Sequence, residues 1–187
     1  MARYKVVPTK TNLARLKRDM NFAQEGYDLL EQKRQILIVE LMGLIDRTAD
    51  AQEKSEKSLA EAFHALQQAV LSMGRTSVTD LAKGIHIDSD ITINFRRIMG
   101  VNIPKVEVEV RDYAPYFSLS NTSFWIDETI VHFKTLLNEI GRLAEMRISL
   151  MRLAQEVQKT MRRVNALDKI AIPDFKESVK YIEDTLE

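Results

Sequence analysis

Apolar residues recur along the first part of the chain at alternating steps of three and four. The run is Leu13, Leu16, Met20, Ala23, Tyr27, Leu30, Arg34, Leu37, Leu41 and Leu44, with one arginine in an inward position. A stripe with this spacing marks a helix that packs along a second helix. Beyond Thr48 the frame carries only alanine and serine as far as Ser58. Larger apolar side chains resume at Leu59, Phe63, Leu66, Val70 and Met73, in a frame shifted by four positions. That shift reads as a stutter, which locally relaxes a left-handed supercoil. Pro8 precedes Thr9 and Thr11, either of which can cap a helix, and Gly74 is a plausible stop. One helix is therefore predicted from about residue 11 to about residue 73, on the order of 90 Å long at the usual rise. Such a rod cannot bury its own stripe and needs a partner helix.

The partner is found at the other end of the chain. Asn121 or Ser123 can cap it, and Asp127 and Glu128 suit the positive end of a helix dipole. The stripe runs Ile126, Ile130, Phe133, Leu137, Ile140, Ala144, Arg147, Met151 and Ala154, with Val157, Met161 and Val164 beyond. Pro173 is expected to break or kink this helix. Phe175, Val179, Ile182 and Leu186 then continue a helical stripe.

The segment between the helices has a different rhythm. Thr76 to Lys83 reads as a short helix ending at Gly84. Ile91, Ile93 and Phe95 alternate with polar residues, as do Val106, Val108 and Val110, with Gly100 and Asn102-Ile103-Pro104 between them. This predicts a β-hairpin or small sheet, whose exposed edges are open to a neighbour's strand. The predicted fold is mainly α: a long antiparallel two-helix coiled coil formed by the N- and C-terminal helices, with a small α/β head containing a β-hairpin. The expected division is 1–75 for the first shaft helix, 76–120 for the head and 121–187 for the second shaft helix, in a single elongated domain.

Composition agrees with long helices, since Gly and Pro number only 6 and 4 in 187 residues. Acidic and basic side chains balance at 27 each, whereas nucleic-acid binders usually carry a basic excess. The stretch TSVTDLAKGIHIDSDITINFRR faintly resembles half of a helix-turn-helix, but β-branched alternation stands where the second helix is required. No nucleic-acid partner is expected. The absence of cysteine fits a reducing, cytoplasmic compartment. No apolar run reaches bilayer-spanning length, and Met1 to Lys5 do not begin a signal peptide, so no direct membrane insertion is expected.

Candidate chemistry is sparse. His64, His86 and His132 are scattered, and no glycine-rich phosphate loop is present. The carboxylates read as solvated helix faces with i,i+4 pairs, as in DAQEKSEKSLAE. Methionines 20, 42, 73, 146, 151 and 161 read as core filler. No enzymatic activity, metal or cofactor is expected of the chain itself. The first segment is basic (Arg3, Lys5, Lys10, Arg15, Lys17, Arg18), while Asp174, Glu177, Glu183, Asp184 and Glu187 stand near the other end. In an antiparallel pair these ends meet, either attracting each other or offering a charged tip to another protein.

Two blocks carry a resemblance. PTKTNLARLKRDMNFAQEGYDLLEQKRQILIVELM, Pro8 to Met42, resembles the N-terminal signature of the D subunit of V-type and A-type ATPases. RRVNALDKIAIPDFKESVKYIEDTLE, Arg162 to Glu187, resembles the C-terminal signature of the same family. The blocks lie at opposite ends in the expected order and cover about a third of the chain. The resemblance implies a non-catalytic central rotor shaft that couples ATP hydrolysis or synthesis to ion translocation. Its implied partners are the small F subunit, the ring of catalytic A and regulatory B subunits, and the adaptor capping the membrane ring. The implied location is cytoplasmic, peripheral to the membrane through the complex. Members usually continue with a basic segment past the position of Glu187. Within this frame Arg162, Arg163 and Asn165 are candidate ring contacts. The competing account of the arginines is that they lie along the seam and pair with acids of the first helix. Ile91, Ile93, Phe95, Val106, Val108 and Val110 are candidate contacts for the F subunit. The rival reading is a prefoldin-like coiled-coil chaperone or scaffold, against which both signatures argue.

Overall fold

The computed structural model describes residues 7–111, 115–118 and 122–186. The candidate cap Asn121 and the residues Arg3, Lys5 and Glu187 lie outside them. Helix α1 runs without interruption over Lys10–Met73, α2 over Arg75–Gly84, and strands β1 and β2 over Ser89–Ile98 and Val101–Val110. Helix α3 spans Phe124–Ala166, a single π-helical turn follows at Leu167–Ala171, and α4 spans Ile172–Leu186. The fold is the expected one: a long N-terminal helix packs against a C-terminal helix, and an antiparallel hairpin stands between them in sequence.

The helix ends follow local chemistry. The Thr9 hydroxyl accepts the Asn12 N–H at 3.2 Å, so Thr9 is the cap of α1. Gly74 ends that helix at φ +81°, a conformation that costs glycine least, and its N–H reaches the Val70 carbonyl at 2.9 Å. Ser123 caps α3: its carbonyl accepts the Ile126 N–H at 2.9 Å.

The chain divides into two compact units, Met1–Leu41 with Leu153–Glu187, and Met42–Arg152. In the first, Leu16 of α1 packs with Val179 and Ile182 of α4, joined by Leu13 and Phe175. Further along, the Lys33 ammonium donates to the Glu156 carboxylate at 2.9 Å. Partner numbers fall along α3 and α4 as they rise along α1, so the pairing is antiparallel. The second unit pairs its helices in the same sense. Arg147 donates to Gln52 at 3.3 Å, and the Phe63 and Phe133 rings meet edge-on at 6.1 Å. Ala69 packs with Ile126, Ile130 and Val78 of α2.

The fully buried residues of α1 do not follow the stutter, although Leu66, Val70 and Met73 of the shifted frame do pack, partly buried, against the Ala69 cluster. Buried α1 residues continue the original frame through Leu44, Thr48, Ala51, Ser55, Ala62, Ala65 and Ala69. Leu59 and Phe63, expected in the seam, are 41% and 55% exposed. Small side chains hold the seam here, and larger neighbours flank it. The stripe of α3 is also rephased. Ile126, Ile130 and Val164 are buried as expected, but Ile140, Met151, Ala154 and Met161 are exposed, whereas Leu136, Ser149, Leu153 and Thr160 are buried. Arg147 lies outside the seam as well, and Met42 is exposed rather than core filler.

Pro173 does not break the helix. The Ile172 N–H bonds the Leu167 carbonyl five residues back, giving one π-helical turn just before the proline. Two causes coincide. Pro173 has no N–H to give an ordinary helix. The apolar stripe also slips by one residue here, because Val164 and Ile172 are both buried and lie eight apart, one more than a heptad. The wider turn absorbs the extra residue, so Ile172, Val179 and Ile182 stay on the buried side.

Candidate functional site

The hairpin is tighter than its sequence implied. Met99 and Gly100 alone form the turn, with φ of +47° and +84°. Positive φ at both central residues identifies the type I′ turn that suits twisted two-residue hairpins. Asn102, Ile103 and Pro104, expected in the turn, belong to β2 and pair with Arg97, Arg96 and Phe95.

The register decides which backbone groups face outward. The Arg111 N–H donates to the Asp88 carbonyl at 2.9 Å, which makes 88/111 a hydrogen-bonded pair. Counting along the antiparallel register, the pairs 91/108, 93/106, 95/104 and 97/102 turn their N–H and C=O groups away from the partner strand. Pro104 occupies one of these outward positions, so its missing N–H costs the ladder nothing.

Helix α3 covers the outer edge of β2. The Glu145 carboxylate accepts the outward Val106 N–H at 2.9 Å, and Arg152 donates to the outward Asn102 carbonyl at 2.8 Å. The Arg152 guanidinium also lies 5.7 Å from the centre of the Phe95 ring. Gly141 permits this approach, since a Cβ there would collide with the Val108 side chain. Val106, Val108 and Val110 are accordingly half-buried. Ile91, Ile93 and Phe95 are 62%, 54% and 62% exposed. The six hairpin candidates thus fall on one small sheet, and only the three of β1 present open apolar surface.

Arg162, Arg163 and Asn165 are exposed near the C-terminal end of α3, beside buried Thr160 and Val164. Arg162 and Arg163 form no salt bridge among the described residues. Arg163 and Lys159 do reach Glu156 through space. Glu156 is held below the usual carboxylate range, first by the Lys33 hydrogen bond and then by these neighbouring cations. Arg34, inward in the stripe, is half-buried and bound by Glu31 on its own helix, donating from Nε at 2.8 Å. The bond lowers the Glu31 carboxyl and raises the Arg34 guanidinium, each keeping the other charged. At the end of this unit Lys17 meets Glu183 at 2.6 Å, an attraction between the two terminal segments.

His132 stands between two carboxylates, 3.5 Å from Glu128 and 3.9 Å from Glu61. Among the described residues no group of three or more His, Asp or Glu side chains is placed to hold a metal ion, and no helix is long and apolar enough to cross a membrane.

The family model for the ATP synthase D subunit matches residues 12–187. This chain is a member of the ATP synthase D-subunit family. A V-type ATP synthase D subunit from Thermotoga neapolitana is 38% identical over 97% of the chain and 90% of its own length. A-type ATP synthase D subunits from Thermococcus sibiricus and Pyrococcus furiosus are 37% and 36% identical, each over 98% of the chain and 87% of the relative. The match takes in the hairpin and the π-helical turn as well as both terminal blocks. It gives the prefoldin-like reading no support. In this D-family chain, the sequence signal for the covered edge of β2 was Gly141 followed by Glu145 and Arg152 on a helix. It becomes readable only once β2 is known to lie against that helix.

Proposed function

We propose that the chain is the non-catalytic central rotor shaft of a V/A-type rotary ATPase, transmitting torque between nucleotide chemistry and ion translocation. The family match across residues 12–187 carries this reading. Two long antiparallel helices with few helix breakers suit a stiff transmitting element. In this reading 1–75 and 121–187 are the shaft and 76–120 the head. Its partners are the ring of catalytic A and regulatory B subunits around the shaft, the small F subunit, and the adaptor of the membrane ring. The chain works on the cytoplasmic side, held at the membrane through the complex.

Exposed Arg162, Arg163 and Asn165 are proposed to touch polar or acidic loops of the ring. Replacing both arginines by Gln is expected to lower coupled activity while the thermal melt stays almost unchanged. A melt lower by many degrees with normal coupling would assign them a structural role instead. The hairpin is proposed to receive the F subunit, on the exposed apolar side chains of β1. Full recovery of the F subunit after deletion of residues 90–112 would remove that assignment. The shaft reading as a whole is tested by affinity capture of the tagged chain from a native lysate with mass spectrometry. Ring subunits and a small stalk partner at fixed stoichiometry are expected. A heterogeneous set of unfolded clients would sink it.

A further inference from the structure

The two edges of the hairpin are unequal. Pro104, Lys105, and the contacts from Glu145 and Arg152 close the outer edge of β2. Such devices keep an edge from recruiting another strand. The outer edge of β1 has none of them. Its register is unbroken from Ser89 to Ile98, with no bulge, proline or lysine. The outward N–H and C=O groups of Ile91, Ile93, Phe95 and Arg97 have no hydrogen-bond partner among the described residues. The edge is also charge-graded. Asp88 and Asp90, the latter ion-paired with Arg111, stand at its open end, and Arg96 and Arg97, the latter donating from Nε to the Asn102 side chain, stand at its turn end.

We infer that the outer edge of β1 is a strand-addition site, occupied by an extended segment of the small stalk partner. That segment carries apolar residues at alternate positions and a carboxylate beside Arg96 and Arg97. A strand is the occupant that satisfies outward groups recurring at every second residue. Its side chains would lie beside Ile91, Ile93 and Phe95, and its acid would answer the arginines at the turn. This inference rests on the hairpin as the small-partner contact and adds the edge and the atoms.

Amide hydrogen exchange on the full chain, alone and with the small stalk partner of the same organism, tests it directly. In the free chain the amides of Ile91, Ile93, Phe95 and Arg97 should exchange fast, while those of Thr92 and Asn94, bonded to β2, are protected. On binding, the outward four should become protected together. Ile93→Pro removes one outward N–H and spares the ladder, as Pro104 already does on β2. It should weaken binding by about two- to tenfold, given the usual net worth of a hydrogen bond. Ile93→Thr keeps the N–H and should weaken it much less. Protected Thr92 and Asn94 amides in the Ile93→Pro chain establish that its hairpin is folded. If the wild-type complex forms without protecting the outward amides, strand addition is wrong and the hairpin contact stands. If the chain lacking residues 90–112 binds the small partner equally well, the contact itself is misplaced. Protection that instead grows with the concentration of the chain alone would make a second copy the occupant and overturn the inference.

Discussion

The two halves of α1 keep one heptad frame but fill it differently. In the first compact unit the seam is built from Leu16, Leu37, Leu153, Val164, Val179 and Ile182, with Ala23 and Thr160 among them. In the second, the α1 side of the seam is Thr48, Ala51, Ser55, Ala62, Ala65 and Ala69 after Leu44. Frame and side-chain size are thus independent variables. A branched side chain stabilises through the apolar area it removes from water. A small one removes little area but lets the partner helix approach closely. The first unit should therefore suffer when atoms are removed, and the second when they are added.

The sharpest break in that comparison is Leu37→Ala. Leu37 is fully buried, and loss of its side chain should cost about 2–5 kcal/mol, read as a lower denaturant midpoint at unchanged slope. A cost below about 1 kcal/mol would mean that the seam collapses around the gap and that close packing is not what holds this half.

How legible this was in the sequence follows the same division. Where the frame held leucines, from Leu13 to Leu44, the helix and its inward face were readable residue by residue. Where it held alanines, the pattern pointed to Leu59 and Phe63, because hydrophobic periodicity weighs large side chains and is nearly blind to Ala62 and Ala65. The same bias put Met151 and Met161 in the seam of α3 in place of Ser149 and Thr160. Those two polar residues are buried; the Ser149 hydroxyl bonds its own helix at the Glu145 carbonyl, 2.7 Å away. The hairpin was readable from its alternation. Its turn was misplaced because Asn102 and Pro104 are turn-forming residues, whereas Met99 accepts positive φ against its preference. The six apolar positions were likewise visible, but that those of β1 stay open while β2 is covered depends on contacts with α3, which no local pattern encodes.

The π-helical turn in the first unit supplies the next prediction. Deleting Lys169 leaves Val164 and Ile172 one heptad apart, so the stripe stays in register without the wider turn. Pro173 then falls inside an ordinary helix, which costs about 3 kcal/mol. The deletion alone should lower the melt, and adding Pro173→Ala should restore it to the parent value or above. If Pro173→Ala rescues nothing, the slipped stripe rather than the proline governs the turn.

In the second unit the converse substitution applies. Ala62 has no exposed surface, and Ala62→Leu should cost about 1–3 kcal/mol by overpacking. The same leucine at exposed Ala60 should be nearly neutral. A stabilised Ala62→Leu chain would show that the small-residue seam has spare volume and would erase the contrast between the halves.

The smallest effect is electrostatic and belongs to the first unit. Glu156 is held below its ordinary range chiefly by the Lys33 hydrogen bond. A carboxylate depressed in the folded chain favours folding fully above its unfolded pKa. That contribution fades as pH falls through the folded value. The first unit should therefore lose stability below about pH 4, where free glutamates protonate. Both side chains remain partly solvated, at 29% and 24% exposure, so screening keeps the effect small. Melts of the parent and Glu156→Gln between neutral and acid pH read it out. The variant should be less stable near neutrality and should converge on the parent in acid. A constant gap across the range would mean that Glu156 acts through packing of its stem along the seam. Convergence that vanishes in high salt would confirm that the Lys33 pair is what the carboxylate contributes.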